Sequence, residues 1–370
     1  MLTKKNKVTF FVSTISNGGA EAVCVNIANG LAERGLQVDL LVLHTNEKNY
    51  IDKLSHKVNL IDLKAQRTRY AAPALLFYLL KYKPKILLVF KYELIDLIII
   101  LKKIFRLNIK VIGRNISIFS ENNKLKKSII QQIFIKRIFG IPMEKLDCII
   151  NQSYEMEKDL LTSLPSLKER SVVIHNPVAS YIEQFAKQND LDKSSNISYI
   201  LCIGRLEEVK AFHLAIEAFS IIANNYKNLR LKFVGEGSLK FQLKQKAEQL
   251  GLKNRIDFEG FQTDVIPYYR HANLTLLTSK YEGFPNVLIE SIVLGTPVVS
   301  VDCPSGPREI LDYGKYGKLV KPDNIQDLVS SIESILNFPN QYNLSERASF
   351  FSVDKAIEKY IKLLIEVSSK

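Results

Sequence analysis

Short apolar runs rich in β-branched residues alternate with longer amphipathic stretches along the first half of the chain. The runs predict strands at residues 8–13, 38–43, 58–63, 85–90, 108–113 and 146–150. The longer stretches have helical spacing, and the one from Glu21 to Arg34 is followed by Gly35, a residue typical of helix ends. Continuous apolar runs separated by helices indicate a parallel sheet that is covered on both faces.

The same alternation starts again after a polar stretch at residues 186–196. It predicts further strands at residues 198–204, 229–235, 255–260, 273–279, 297–302 and 317–320. We therefore expect two Rossmann-like α/β domains, residues 1–177 and 178–352. A last amphipathic helix at 353–370 can pack against either domain, and we predict that it packs against the N-terminal one. Ligands of open parallel sheets bind outside the carboxyl ends of the strands, so the two sheets are expected to face each other across a cleft.

The composition excludes several classes of protein. The chain has 370 residues, 46% of them hydrophobic and 24% charged, which is typical of a globular protein rather than a disordered one. Charged residues interrupt the longest apolar stretch, at 86–105, so no transmembrane helix is expected. The apolar run near the N-terminus is too short for a signal peptide. Four scattered cysteines indicate free thiols rather than disulfides or a zinc site: Cys24, Cys148, Cys202 and Cys303.

Charge is distributed unevenly between the two halves. Residues 1–177 contain 28 Lys and Arg against 15 Asp and Glu, whereas residues 178–370 contain 23 of each, so the net charge of +13 belongs to the first half. This asymmetry indicates a polyanionic partner, either an acidic membrane or a nucleic acid. Residues 122–140 combine apolar side chains with cations, which suits a helix lying on an anionic membrane. A core helix with a solvated basic face fits the same pattern. The cations are Lys124, Lys126, Lys127, Lys136 and Arg137.

The first segment with candidate chemistry is a strand-to-helix turn at residues 14–23. Gly18 and Gly19 allow a ligand close to the backbone, and the helix that follows offers free N–H groups to an anion. A tight turn without a ligand is an equal alternative. The turn lacks the GxGxxG pattern, which argues against a dinucleotide-dependent dehydrogenase.

The second segment begins where a predicted strand ends at Gly204. Arg205 and Lys210 flank the loop that opens the next helix. Cations at a helix N-terminus oppose the helix dipole, so this arrangement indicates an anion, such as a diphosphate, held between them. Two solvated surface cations are the alternative.

The third segment, residues 279–302, is the most specific. Pro285 suits the first position of a helix and Gly295 its end. Glu282 lies just before this helix, and Glu290 lies in its second turn among apolar neighbours. A carboxylate in such surroundings needs a hydroxyl or cationic partner, unless it is an ordinary exposed glutamate.

Taken together, these segments resemble the donor domain of glycosyltransferase family 4, which has the GT-B fold. The resemblance lies in the motifs IGRL…K at 203–210, VGEG at 234–237, EGFPNVLIE at 282–290 and GTPVVSVDCPSGPREIL at 295–311. NGGAE at 17–21 and HNPV at 175–178 extend it to the first half. The ending SGPREIL is most similar to that of transferases that move N-acetylhexosamine onto polyprenyl-diphosphate-linked glycans.

The resemblance implies a role for each matching residue. Arg205 and Lys210, after Gly204, would hold the donor diphosphate, and Glu290 would bind the ribose hydroxyls. Gly18 and Gly19 would close over the phosphates from the other domain. The sugar would be surrounded by Glu282 and by the backbone N–H groups of Gly283, Phe284, Asn286 and Val287.

The resemblance also implies a retaining reaction with no metal, no cofactor and no protein nucleophile, the UDP-sugar being a substrate. The Asp-x-Asp sequence at 190–192 is predicted to be a solvated loop. Many relatives have a histidine before the asparagine that here is Asn115, whereas this chain has Arg114. A permanent cation cannot act as a base, so Arg114 is a candidate catalytic residue through the phosphates, unless the two positions are not equivalent.

The expected function is therefore transfer of a hexosyl group, such as N-acetylgalactosamine, from a UDP-sugar to a lipid-linked glycan. The protein is expected in the cytoplasm, peripherally attached to the anionic inner face of the membrane, without nucleic acid. A nucleotide-sugar epimerase with the same fold is one alternative, although its EGFPNVLIE region would differ. A basic nucleic-acid-binding protein is the other, but it would leave the motifs of the second half unexplained.

Overall fold

The computed structural model describes residues 7–16, 18–45, 51–120, 141–188 and 198–369. The chain divides into two compact units. Unit 1 comprises Met1–Ala179 together with Val353–Lys370, and unit 2 comprises Ser180–Ser352.

Unit 1 is built on a seven-stranded parallel sheet of order β3-β2-β1-β4-β5-β6-β7. Its central strands are buried along almost their whole length, as expected for a sheet with helices on both faces. The strands are β1 Lys7–Val12, β2 Gln37–Val42, β3 Val58–Asp62, β4 Ile86–Val89, β5 Lys110–Arg114, β6 Cys148–Asn151 and β7 Ser171–Val173.

Helices cover the two faces of this sheet with separate apolar cores. One core contains side chains of α1 (Gly19–Glu33) and α13 (Val353–Ser369). The other contains side chains of α2 (Ala72–Tyr82), α3 (Tyr92–Ile104) and α4 (Tyr154–Ser163). Short 3-10 turns lie at Ile51–Lys53, Thr68–Tyr70, Pro142–Lys145 and Pro165–Arg170.

The last helix, α13, completes the first of these cores although it lies at the end of the chain. Ile357, Tyr360 and Leu364 are buried against α1. The fit is close at Gly30 of α1, where an added Cβ would lie 2.5 Å from Cδ1 of Ile357. The C-terminal segment is therefore a part of unit 1.

Unit 2 contains a six-stranded parallel sheet of order β10-β9-β8-β11-β12-β13. The strands are β8 Ser198–Ile203, β9 Leu229–Val234, β10 Ile256–Gly260, β11 Leu274–Leu277, β12 Val298–Val301 and β13 Lys318–Val320. The helices are α5 Ser180–Gln188, α6 Phe212–Ile222, α7 Lys240–Gln249, α8 Ile266–His271, α9 Asn286–Val293, α10 Pro307–Ile310, α11 Ile325–Asn337 and α12 Leu344–Ala348, with 3-10 turns at Glu208–Lys210 and Ser349–Phe351.

The predicted strands agree with the observed ones to within a few residues at either end. The sequence reading did not assign β7, a three-residue edge strand with only half-buried side chains. Both units have the predicted architecture, an α/β domain on a parallel sheet. Within the described parts of the chain, no helix is both long and apolar enough to cross a bilayer.

Candidate functional site

The predicted donor-site segments of unit 2 follow three adjacent strands, β8, β11 and β12. Because these strands are parallel, their carboxyl ends lie at one edge of the sheet, where ligands of such sheets bind. Backbone hydrogen bonds join the three loops to each other. The N–H of Lys280 donates to the carbonyl of Val209 at 2.8 Å, and the N–H of Glu282 donates to the carbonyl of Pro304 at 2.7 Å. The sheet edge thus holds the predicted residues on one fixed set of loops.

The central feature of this edge is an ion pair between Lys210 and Glu282. The Lys210 ammonium donates to Oε1 of Glu282 at 2.7 Å, and both side chains are about 15% exposed, at 15% and 14%. The hydroxyl of Ser279 donates to the same oxygen at 2.6 Å. On the other side, Thr278 donates its hydroxyl to the carbonyl of Lys210 at 2.8 Å. The structure therefore joins two predicted residues that are 72 positions apart.

Two features of position 204 require a glycine: the backbone conformation and the closeness of the Lys210 side chain. The φ angle of Gly204, +150°, favours glycine, and an added Cβ would lie 3.1 Å from Cε of Lys210. The absence of a side chain lets Lys210 fold over the strand end toward Glu282. Arg205 behaves differently: its side chain is exposed, and its guanidinium has no hydrogen bond or ion pair with the described residues.

The loop before α9 is held by the loop after β12. The hydroxyl of Ser305 donates to the carbonyl of Gly283 at 2.8 Å. Gly306 packs so closely that an added Cβ would lie 2.8 Å from Cδ of Pro285. Pro285 occupies the N-cap rather than the predicted first helical position, and no side chain caps the helix.

The four predicted backbone positions around the sugar lie in this loop and the first helical turn. They are Gly283, half-buried; Phe284, buried; and Asn286 and Val287, half-buried at the first two positions of α9. An N-terminus without a side-chain cap can offer its N–H groups to a ligand.

Glu290 has the hydroxyl partner that its apolar surroundings predict. Oη of Tyr269 donates to Oε2 of Glu290 at 2.8 Å, and Thr296 donates its hydroxyl to the carbonyl of Tyr269 at 2.6 Å. Burial, together with the negative charge of Glu290, raises the pKa of Tyr269 well above its ordinary value. The phenol is therefore a permanent donor to the carboxylate at neutral pH.

The side chain of Glu21 occupies the glycine turn of unit 1. Gly18 is the N-cap of α1, and the carboxylate of Glu21 lies so close that an added Cβ on Gly18 would be 1.9 Å from Oε2. Glu21 is buried and pairs with Lys91 at 3.2 Å. Gly19 is exposed. A carboxylate in the first turn is favoured by the helix dipole, and it stands where the anion was predicted.

Arg114 lies in the core of unit 1 and is fully buried. Its Nε donates to Oη of Tyr360 in α13 at 3.1 Å, and its Nη2 donates to Oδ1 of Asn176. The guanidinium carbon lies 5.3 Å from the centroid of the Phe90 ring. Nη1 has no hydrogen-bond partner among the described residues. The structure thus gives Arg114 contacts with the last helix and with the HNPV segment.

Several of these partners could not be named from the sequence. Tyr269, Ser279 and Glu21 each contact a predicted site residue, but nothing in the sequence singled out their side chains, although Glu21 and Ser279 lie within the segments with candidate chemistry. The one available signal was the apolar surroundings of Glu290, which required a hydroxyl or cationic partner without saying which residue supplies it.

Two predicted segments, the basic stretch at 122–140 and the Asp-x-Asp sequence at 190–192, lie outside the described residues. Within the described ranges, no cluster of three or more His, Cys, Asp or Glu side chains is arranged to hold a metal ion. The four cysteines are free and buried. Burial raises the pKa of the Cys202 and Cys303 thiols.

Both halves of the chain match models of known families. The model of glycosyl transferases group 1 matches residues 183–349, and the model of glycosyltransferase family 4 matches residues 17–180. An uncharacterized glycosyltransferase of Methanocaldococcus jannaschii is 32% identical over 73% of this chain and 75% of its own length.

A Campylobacter jejuni relative carries a more detailed name. This α-1,4-N-acetyl-D-galactosaminyltransferase, named for a GalNAc-GalNAc-diNAcBac-PP-undecaprenol substrate, is 25% identical over 98% of this chain and 99% of its own length. Among solved structures, Anabaena HepE in complex with UDP-glucose superposes with a TM-score of 0.77 at 19% identity, covering 97% of this chain and 99% of that one. This chain belongs to glycosyltransferase family 4, has the GT-B fold that its motifs predicted, and is a glycosyltransferase.

Proposed function

We propose that the protein is a retaining, metal-independent hexosyltransferase that moves an N-acetylhexosamine, such as N-acetylgalactosamine, from a UDP-sugar to a lipid-linked glycan in surface polysaccharide assembly. This proposal rests on two contacts of one segment. Glu282, in the loop before α9, pairs with Lys210, and Glu290, within α9, accepts a hydrogen bond from Tyr269. The names of relatives that act on undecaprenol-linked glycans support the acceptor. The UDP-glucose complex of HepE supports the donor class.

In this proposal Arg205 and Lys210 bind the donor diphosphate. An ammonium group has three N–H donors, so Lys210 can keep its bond to Glu282 and still donate to a phosphate oxygen. Arg205 has an exposed guanidinium, whose planar fork fits phosphate oxygens in a bidentate way. Positive charge fixed at the leaving group stabilises the transition state, in which the diphosphate gains negative charge.

The carboxylates and the start of α9 bind the rest of the donor. Glu290, oriented by Tyr269, accepts hydrogen bonds from the ribose hydroxyls. Glu282 and the backbone N–H groups that follow it contact the sugar.

The reaction transfers the glycosyl group with retention of the anomeric configuration. The bond between the anomeric carbon and the diphosphate oxygen breaks, and UDP leaves on the face that the acceptor hydroxyl attacks. A phosphate oxygen of the leaving UDP accepts the hydroxyl proton as the new glycosidic bond forms. No protein nucleophile and no metal is needed for this balance of bonds and protons.

The test is a transfer assay with purified protein, a panel of nucleotide sugars and a polyprenyl-diphosphate-linked hexosamine acceptor. We expect UDP release only when donor and acceptor are both present, undiminished by a chelator. NMR of the product should show the anomeric configuration of the donor. An inverted product would contradict the retaining reaction, and loss of activity with the chelator would contradict metal independence.

The two alternatives give different results in the same experiment. An epimerase would convert or hydrolyse the UDP-sugar without any acceptor. A nucleic-acid-binding protein would shift labelled DNA or RNA in a gel and release no UDP. Either result, obtained without acceptor-dependent UDP release, would replace the proposed function.

A lipid-linked acceptor places the reaction at a membrane, and we extend the proposal to peripheral attachment at the cytoplasmic, anionic inner face. The excess of 28 cations over 15 anions in residues 1–177 supports this extension. Changing Lys124, Lys126 and Lys127 together to glutamate should reduce co-sedimentation with anionic vesicles and leave UDP affinity unchanged. Attachment through residues 122–140 would be contradicted if binding were the same on neutral and anionic vesicles and the same with and without these three lysines.

A further inference from the structure

Helices α2 and α3 pack beside each other on one face of the unit 1 sheet. The inward side of α2 supplies Leu75, Tyr78 and Leu79 to the core. Its outward side carries Phe77 and Leu80, so the helix is apolar on both sides. A helix that is apolar all round is normally buried, but the described residues leave the outer side of α2 exposed.

The exposed apolar side chains of unit 1 are concentrated here. Within the described residues, unit 1 has seven large apolar side chains in the exposed class, and all but Tyr154 lie on α2, on the turn before it or at the ends of the two helices. The six are between 47% and 65% exposed, and we call them the α2–α3 face: Tyr70, Phe77, Leu80, Tyr82, Ile104 and Phe105. Single exposed apolar residues are ordinary, whereas a concentration of them marks an interaction surface.

The same part of the chain is strongly basic. Residues 67–106 contain nine Lys and Arg but only two Asp and Glu. Lys91 and Lys102 are paired with Glu21 and Asp147. Most of the other cations are exposed and form no ion pair with a described residue: Arg67, Arg69, Lys81, Lys83, Lys85 and Arg106.

Two of these cations lie directly over rings of the α2–α3 face. Nζ of Lys81 is 5.6 Å from the ring centroid of Phe77 and 5.2 Å from that of Tyr82. The guanidinium carbon of Arg69 is 4.8 Å from the ring centroid of Tyr70. Apolar groups and cations therefore lie at the same level of the surface, where a single partner would meet both.

We propose that the α2–α3 face docks on an anionic lipid bilayer. Aromatic and aliphatic side chains enter the boundary between headgroups and acyl chains, while long cationic side chains reach the lipid phosphates. Tyrosine suits this level of a membrane, and each nearby Lys or Arg adds attraction to acidic lipids. This surface is separate from residues 122–140, and it deepens the proposed attachment by naming described residues that carry it.

A second copy of the chain fits the face less well than a bilayer does. A symmetric dimer through this face would bring the same cations of both copies together, because an isologous interface pairs a patch with itself. Like charges in such an interface repel each other, and lysine is depleted at protein interfaces. An acidic membrane meets every cation with the opposite charge.

Vesicle flotation tests the proposal with the full chain and vesicles of phosphatidylcholine, with or without phosphatidylglycerol. No acceptor is present, so the result does not depend on transfer activity. We expect binding only to the anionic vesicles, and less of it at high salt. Phe77→Asn with Leu80→Asn, and separately Arg69→Glu with Lys81→Glu, should each lower the partition coefficient at least about tenfold.

Phe241→Asn is the matched control. Phe241 lies on α7 of unit 2 and is 69% exposed, against 65% for Phe77. The control variant and the Phe77 variant therefore lose an aromatic ring of similar exposure. The control should float like the wild type. All variants should keep the wild-type UDP affinity and the wild-type urea unfolding midpoint, which together show that both units are folded.

Three results would overturn the proposal. Wild-type binding that is equal on neutral and anionic vesicles is the first. The second is unchanged flotation of both double variants, with all loss arising from Lys124, Lys126 and Lys127. The third is a wild-type dimer in sedimentation that the variants dissolve, which would identify a second copy as the occupant. If the transfer assay failed and flotation were normal, the proposed function would be contradicted and this inference would not be affected.

Discussion

Replacing Tyr269 with phenylalanine removes one hydroxyl and leaves the ring that fills the core of unit 2. That hydroxyl donates to Oε2 of Glu290 at 2.8 Å, which is an ordinary O–H···O distance. The pKa of Tyr269 is raised well above its ordinary value, so the phenol stays protonated at neutral and mildly alkaline pH. The substitution therefore deletes one hydrogen bond to a carboxylate at neutral and mildly alkaline pH.

The size of the effect follows from the charge and burial of the pair. A hydrogen bond to a charged group contributes about 1.5–3 kcal/mol. Glu290 is only half-buried, so water can replace part of that bond, and we expect unfolding in urea to show a loss of about 1–2 kcal/mol. A carboxylate that is no longer held should also bind the ribose less well, and UDP affinity should fall about tenfold.

The assay compares UDP with 2′-deoxy-UDP by titration calorimetry. In the wild type UDP should bind more tightly than 2′-deoxy-UDP, because in the proposed complex Glu290 accepts hydrogen bonds from both ribose hydroxyls. Tyr269→Phe should reduce the ratio of the UDP affinity to the 2′-deoxy-UDP affinity. A Glu290 carboxylate that is no longer oriented loses most with the ligand that offers both hydroxyls. A purely structural effect would weaken both ligands equally.

The neighbouring Tyr268 provides the control. Its side chain is half-buried, and its environment also raises the pKa of the phenol, through burial and the charge of Glu259. Tyr268→Phe should leave the ratio of the two affinities unchanged. If Tyr269→Phe folds and gives the wild-type ratio, Tyr269 does not orient the ribose-binding carboxylate.

Four further substitutions test the same site and other contacts. Glu290→Gln should weaken UDP binding about ten- to a hundredfold, because an amide cannot accept from two hydroxyls as a carboxylate does; unchanged affinity would remove Glu290 from the site. Arg205→Ala and Lys210→Ala should weaken UDP in calorimetry but hardly affect uridine, and only Lys210→Ala should lower the urea midpoint, because only Lys210 has a part-buried carboxylate partner. Tyr360→Phe should destabilise unit 1 by about 1–3 kcal/mol in urea, since it leaves a buried Arg114 N–H without its acceptor; an unchanged midpoint would refute this.

The secondary structure was predictable because its signal is local. Strands buried on both faces give continuous apolar runs, and β1 and β12 lie where such runs are printed in the sequence. The end of α9 was equally plain, because Gly295 adopts the positive φ angle of +71° that a helix end favours.

The partners of the site residues were not predictable for the opposite reason. Glu282 meets Lys210 across 72 positions, and Arg114 meets Tyr360 across 246. Such contacts depend on how loops and helices pack in three dimensions, which periodicity does not report. Motif resemblance predicted residues for the donor site, but it gave no indication that Glu21 would occupy the glycine turn.

The return of α13 to unit 1 has a consequence for the order in which the chain folds. Residues of unit 1 up to 179 are synthesised before unit 2, and α13 is synthesised after it, so the apolar side of α1 stays uncovered until residues 353–369 have been made. Unit 2 is continuous from 180 to 352 and can close before that moment. Contacts between distant parts of a sequence slow folding, and an uncovered apolar face is prone to aggregate meanwhile. Unit 1 is therefore completed only after unit 2 has been made, and until then the apolar side of α1 is a surface that a chaperone would bind.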